Sequence, residues 1–247
     1  MDKVAIISGF YGADENVSFK GYQNKNYPSF YVTNNLKAAK IAEKYGWMIK
    51  FDDKTPVTKD KHISSIQSKK LKAIPSQVLN LSDYDYTLYV DDKIKISDSF
   101  LIKRELSRLK KKQNKASVRT HWKSKNAMSV WYELAACLTQ PRYKKKFDDY
   151  LNYINQKISE GYSDVSILSA TGVILMNNRD PEIKKIFEEW YEDILKYNLA
   201  NCQIAFFFLR QKYHNSINEM LFPVNYKQMY VQKIIDLKNR IAKKHFY

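Results

Sequence analysis

Asp83-Tyr84-Asp85-Tyr86-Thr87-Leu88-Tyr89-Val90-Asp91-Asp92-Lys93 is the stretch on which the fold turns. Thr87 to Val90 are β-branched, aromatic and aliphatic, the composition of a buried strand, and they run straight into two adjacent carboxylates. In an open α/β sheet ligands bind beyond the carboxyl ends of the strands, so acids at such an end face the crevice. Paired carboxylates there can hold Mg2+ or Mn2+, which bridges a diphosphate and stabilises it as a leaving group. Taken alone, the pair also fits a helix cap or a solvated turn.

Upstream, Val4-Ala5-Ile6-Ile7-Ser8-Gly9 reads as a buried first strand and 12–28 as a polar stretch. A helix is expected over 35–45, ended by Gly46, then a strand over 47–51 stopped by Asp52-Asp53. Residues 65–78 read as a helix that Pro75 must end or bend. Downstream comes a basic amphipathic helix over 99–112, with Ile102, Leu106 and Leu109 on one face. A strand is expected over 117–122, helices over 129–138 and 144–158, and a last clear strand over 171–176. Pro181 opens a helix to about Tyr197, 203–212 reads as a buried helix, and a basic helix begins near Gln228.

Strands alternating with helices predict an α/β protein with a mainly parallel central sheet flanked by helices. With 247 residues, no repeat and no Gly-, Pro- or Ser-rich linker, one domain over 1–227 is expected, followed by the basic helix 228–247.

Lys and Arg number 42 against 26 Asp and Glu, a formal charge of +16, which implies an anionic partner: nucleotide phosphates, nucleic acid or an acidic membrane surface. Two cysteines are too few for a disulfide framework or a zinc site, so a reducing compartment is expected. No apolar run long enough to span a bilayer occurs, and the first residues reach Gly9 too early for a signal-peptide core. A cytosolic protein is the expectation.

Neither the Walker pattern nor Gly-x-Gly-x-x-Gly is present, which argues against kinases, NTPases and nicotinamide-dependent dehydrogenases. Phosphates would have to be met by metal and basic side chains, with Lys69, Lys70 and Lys72 before the acidic strand and Arg119 and His121 after the next one as candidates. Arg119-Thr120-His121-Trp122 followed by Trp131-Tyr132-Glu133 places a histidine at a strand end and a glutamate on the next helix, where both can face one cleft. The alternative is that the aromatics are core and His121 a satisfied neighbour. Cys137 lies in an apolar run and reads as a small hydrophobe. His62 and His214 are expected at the surface, although His214 could complete a metal site from the C-terminal side.

The ordered pieces resemble the plant mucilage-related and turgor-regulation-defect glycosyltransferase-like family, formerly a domain of unknown function. The matching elements are Lys72, Asp85-Tyr86, Val90-Asp91-x-Lys93-Ile94, His121, Tyr132-Glu133, Thr171-Gly172-Val173-Ile174 and the Trp190 region. Together they extend from roughly Trp47 to Tyr213. Where the family opens an apolar helix with Arg-Asp-Gln, this chain has Asn201-Cys202-Gln203, so only the glutamine survives.

The resemblance implies a GT-A type nucleotide-binding fold and a nucleotide-sugar-dependent glycosyltransferase with a glycan or lipid-linked acceptor. It implies Mn2+ or Mg2+ on Asp91, with Asp92 supporting; His214, read from its position alone, is the candidate for a further metal ligand. Lys72, Asp92, Lys93, Arg119, Thr171 and Gly172 then fall to the donor, and Glu133, His121 and Gln203 to catalysis.

Two other classes compete. The charge and the 14% aromatic content would suit a nucleic-acid-binding protein or a metal-dependent nuclease. The basic residues are nevertheless spread over several helices and no nucleic-acid motif occurs, so no nucleic-acid partner is expected. Loss of the Arg-Asp pair would suit a non-catalytic binding module. In the basic helix, Val231, Ile234, Ile235, Leu237 and Ile241 lie largely on one side among five Lys or Arg, which suits packing on the domain with the lysines solvated, or else peripheral contact with an anionic membrane.

Overall fold

A computed structural model describes residues 2–17, 26–94, 99–121 and 127–220. In chain order the strands are β1 (Val4–Phe10), β2 (Ser29–Thr33), β3 (Met48–Phe51), β4 (Tyr86–Val90), β5 (Ala116–Thr120), β6 (Met128–Ser129), β7 (Val165–Ser166), β8 (Ser169–Asn177) and β9 (Ile217–Met220). The helices are α1 (Leu36–Lys44), α2 (Lys61–Ala73), α3 (Ser99–Lys111), α4 (Val130–Cys137), α5 (Pro141–Lys144), α6 (Phe147–Ser159), α7 (Pro181–Lys196) and α8 (Cys202–Lys212).

Seven strands form one sheet in the order β3-β2-β1-β4-β8-β5-β9, while β6 and β7 make a separate antiparallel pair. All pairings in the large sheet are parallel except those of β8, which runs antiparallel to both β4 and β5. The fold is thus α/β with a mainly parallel sheet flanked by helices. The strand expected over 171–176 is present but reversed, a direction its unbroken apolar run does not encode.

Successive side chains of a strand point to opposite faces, and both faces of this sheet are covered. Ala5 and Ile7 enter a core with α2, α4, α6, α7 and α8, built around Trp190, Tyr150 and the three phenylalanines 206–208. Val4 and Ile6 enter a second core with α1 and α3, where Ile102, Leu106 and Leu109 form the buried stripe read from the sequence. Gly9 is required by this packing. A Cβ there would stand 2.1 Å from the Val32 carbonyl oxygen and 2.4 Å from Leu71 Cδ1, so only glycine lets α2 lie this close to the sheet.

Caps set several helix starts. Asn35 accepts from Ala38 N, Asp60 from His62 N and Ile63 N, and Asp180 from Glu182 N ahead of Pro181. The Asp60 cap starts α2 four residues before the expected position, and Pro75 ends it in a 3-10 turn over Pro75–Gln77. The helix expected over 144–158 is α6, which starts three residues later, and the short α5 precedes it. Four strands escaped the sequence reading: in the large sheet β2, directly after the polar stretch, and β9 at the edge, and besides them the short pair β6 and β7. His62, expected at the surface, is buried. Its ring bonds Arg142 O at 3.2 Å and Asn198 Oδ1 at 3.0 Å, tying α2 to α5 and to the turn before α8. The basic helix expected over 228–247 lies outside the described residues.

Candidate active site

The carboxyl ends of β1, β4 and β5 open into a polar cleft of about 860 Å³. Because β8 is reversed, its beginning lies beside the end of β4. Asp91 N donates to Gly172 O at 2.8 Å, and one strand further His121 N donates to Leu168 O at 2.9 Å. Three neighbouring strands therefore deliver Asp91, Thr171, Gly172 and His121 to one edge. Helix α2 adds Lys69 and Lys72, and the starts of α4 and α8 add Glu133 and Gln203.

Lys72 is buried and organises this edge. Its Nζ donates to Asp91 Oδ1 and to Thr171 O, both at 3.1 Å, and lies 4.8 Å from the centre of the Tyr89 ring. Tyr89 OH donates to the same Asp91 oxygen at 2.9 Å. Burial alone would raise the Asp91 carboxyl, but Lys72, Lys93 and Lys69 together hold it well below the usual carboxylate range. Asp92 goes the other way: burial and the neighbouring Asp91 charge push it up to about 6.

A hard cation fits this pair. Asp91 Oδ1 is committed to Lys72 and Tyr89, whereas Oδ2 lies over Gly172, where a Cβ would stand 2.8 Å away. Asp92 is a carboxylate whose charge is unfavourable until a positive ion arrives. Among the described residues no group of three or more His, Cys, Asp or Glu gathers, so these residues form no closed cage. Two carboxylates with an open side suit an ion shared with substrate phosphates, as Mg2+ usually is.

Glu133, buried at the first turn of α4, accepts from Asn201 Nδ2 at 2.9 Å and from Gln203 Nε2 at 3.0 Å on its Oε1. Asn201 N is held by Tyr150 OH at 2.8 Å, and Trp190 Nε1 donates to Cys202 O at 3.1 Å. The Asn201-Cys202-Gln203 segment thus orients the glutamate through the amides of Asn201 and Gln203. Thr171 Oγ1 lies 3.3 Å from Cys202 Sγ.

The cleft brings together Lys72, Asp91, Asp92, Lys93, His121, Glu133, Thr171, Gly172 and Gln203. Arg119, two residues before His121, is not among its lining residues. His214 is exposed on the turn that leads into β9, with Nδ1 3.2 Å from Gln211 O. Since β9 runs parallel to β5, that turn lies at the opposite end of the strands from the cleft. Lys70 is also turned away and pairs with Asp52 beside Tyr11 and Thr55. Sequence reasoning missed Tyr89, Ser64, Ser65, Ser68 and Arg142. The signal for the serines was present: 61, 64, 65, 68 and 72 fall on one face of a helix.

If the pair holds an ion for a bound nucleotide, Gly172→Ala, by displacing the Asp91 carboxylate, should weaken Mn2+-dependent nucleotide binding by about tenfold, about 1.4 kcal/mol, while leaving the circular-dichroism spectrum unchanged. Unaltered binding in titration calorimetry would show that Asp91 Oδ2 has no part in holding the ion.

No protein-family model matches this chain, and no curated protein does. Among solved structures, mouse xyloside xylosyltransferase 1 in its apo form is 11% identical, covering 89% of this chain and 85% of that one at a TM-score of 0.49. Core-mannan synthase A of Aspergillus fumigatus, in its Mn/GDP form, is 10% identical over 89% and 73% of the two chains at 0.46. A CMP:2-keto-3-deoxy-manno-octonic acid synthetase with CTP is 10% identical over 97% and 99% at 0.44. Likeness this slight assigns no chemistry to the present chain.

Proposed function

We propose that the protein is a glycosyltransferase of GT-A type, moving a sugar from a nucleotide-sugar donor to a glycan or lipid-linked acceptor with help from Mn2+ or Mg2+. The observation that carries the reading is the Asp91-Asp92 pair at the end of β4. It stands in a polar cleft with one carboxylate locked by Lys72 and the other raised by its neighbour. The family resemblance of the surrounding motifs supports it. Asp92 and the free oxygen of Asp91 would hold the ion, which supplies charge to the departing diphosphate.

In this reading Lys72 fixes Asp91 in its ionised form and, with Lys93, makes the local potential attractive to phosphate. Thr171 and Gly172 form the floor under the donor. Glu133, oriented by Asn201 and Gln203, accepts a hydrogen bond from a sugar hydroxyl, and His121 lies on the β5 side to exchange a proton. Arg119 and His214 have no part. The non-catalytic alternative draws on the replaced Arg-Asp pair. The Asn201 and Gln203 bonds to Glu133 favour a working site, since they hold a buried carboxylate in place at the cleft wall.

Thermal-shift titration with a panel of nucleotide sugars, with and without Mn2+, tests the proposal, because a ligand that binds only the folded state raises its stability by mass action. A metal-dependent shift is expected for one donor base, lost in Asp92→Asn. A panel without any metal-dependent shift would overturn it. Since the ion needs Asp92 ionised, affinity should fall as pH drops through about 6, approaching tenfold per unit below it. Membrane contact through residues 228–247 belongs to the same reading. The full chain should float with anionic liposomes at low salt and a chain ending at 227 should not.

A further inference from the structure

Helix α2 turns Lys61, Ser64, Ser65, Ser68, Lys69 and Lys72 toward the cleft, a stripe at helical spacing. Its two inner lysines differ in circumstance. Lys72 has Asp91. Lys69 donates to Ser65 Oγ at 3.2 Å, and no carboxylate of the described residues lies within ion-pair distance of it. Arg142, from α5, lines the same wall. Its Nε donates to Gln140 Oε1 at 3.2 Å, its guanidinium lies 4.5 Å from the centre of the Tyr143 ring, and it too has no acidic partner among the described residues. The bond from the His62 ring to Arg142 O fixes α5 against α2, so the two cations are held in place rather than swept apart.

Burial, with repulsion from Lys72 and Arg142, lowers Lys69 to about 8. Lys69 is half-buried and Arg142 exposed at the rim of the same wall, and with no carboxylate of the described residues paired to either, an anion placed between them would be favoured. Lys69 retains two N–H donors beyond its bond to Ser65, and the Arg142 fork offers paired donors. That combination suits the several oxygens of a phosphate better than the two of a carboxylate. The Asp91-Asp92 pair, by contrast, lies beyond Lys72, and it is there that the donor diphosphate is assigned.

We propose that Lys69 and Arg142 form a second anion subsite, which receives a phosphate group carried by the acceptor. The subsite rests on the glycosyltransferase reading for the word acceptor, and the same chemistry could be met by the donor's own diphosphate. Amine acylation of the full chain at pH 8, read residue by residue with mass spectrometry, separates the cases. A lysine lowered to about 8 is about half unprotonated at that pH and reacts ahead of ordinary lysines.

Inorganic phosphate at millimolar concentration should slow labelling of Lys69 several-fold. It should do so equally in the presence of saturating nucleoside diphosphate and Mg2+. In Arg142→Gln, a change at an exposed side chain, the phosphate concentration giving half protection should rise about tenfold. Protection by nucleoside diphosphate and Mg2+ alone, with nothing added by phosphate, would return the wall to the donor and overturn the proposal. Absence of protection by phosphate would also overturn it. The donor reading fails separately, through nucleotide panels that give no thermal shift, and the phosphate arm is run without nucleotide as well.

Discussion

Lys72→Met should destabilise the protein by about 3–5 kcal/mol, the usual cost of removing one member of a buried ion pair. Methionine nearly preserves the volume, so the loss reports charge rather than a cavity. In a protein of this size such a loss lowers Tm by about 6–20 °C. The pH dependence identifies the origin. Asp91 is held below its ordinary value of 3.8, so its share of stability is present above about pH 4 and disappears as pH falls through the folded value. Lys72, although burial lowers it, is raised overall above 10.5 by Asp91, so its share is present below that pH and is lost as pH rises through the folded value. The gap between the two proteins should therefore be flat across neutral pH and close at both extremes. A gap that persists unchanged in acid would mean that the methionine is merely a poor fit.

Gly9→Ala should be comparably severe with no charge involved. The added Cβ meets a backbone carbonyl, that of Val32, at 2.1 Å, and a carbonyl in a parallel ladder cannot move without breaking the register of β1 and β2. Overpacking of this kind costs about 3 kcal/mol or more, a Tm loss of about 6–12 °C. Urea denaturation measures it, and the slope with denaturant should stay as in the parent protein. A change below about 0.5 kcal/mol would show that α2 and β2 can separate without penalty.

The central strand and its acids were legible because three independent signs coincide there: β-forming residues, an abrupt carboxylate pair and a position between helical segments. β1, α3 and α7 were legible for similar reasons, through an unbroken apolar run, a one-sided stripe and a proline at the first helical position. β2 was not, since Ser29 and Thr33 give it polar ends and nothing marks where the preceding polar stretch stops. β9, Ile217-Asn-Glu-Met220, has too few apolar residues to stand out. It is a strand because β5 offers it an edge, a tertiary cause that no local pattern carries.

Within the site, the placement of His121 and Glu133 on one cleft was foreseeable from a strand end and the following helix, whereas Gln203 was suggested only by the family resemblance. Arg119 and His121 stand two apart in sequence, yet only His121 lines the cleft, and the register of β5 against β8 shifts between Val118 and Thr120. The pairing of Lys72 with Asp91 joins a helix to a strand end 19 residues on, a contact that follows from the βαβ crossover rather than from either segment. His214 had the right chemistry at the wrong end of a strand.

The reversal of β8 also sets the order in which the site comes into being. On a ribosome, Asp91, Asp92 and Lys72 emerge well before Gly172, whose carbonyl receives the Asp91 amide. At usual rates of synthesis the acidic pair waits several seconds for its wall. Were β1 and β4 to pair in that interval, β4 would keep an unpaired edge on the β8 side, ending in two carboxylates. Charge at a strand edge discourages pairing with foreign chains. The residues proposed to hold the ion in the finished protein would thus also guard the nascent sheet until β8 arrives to close it.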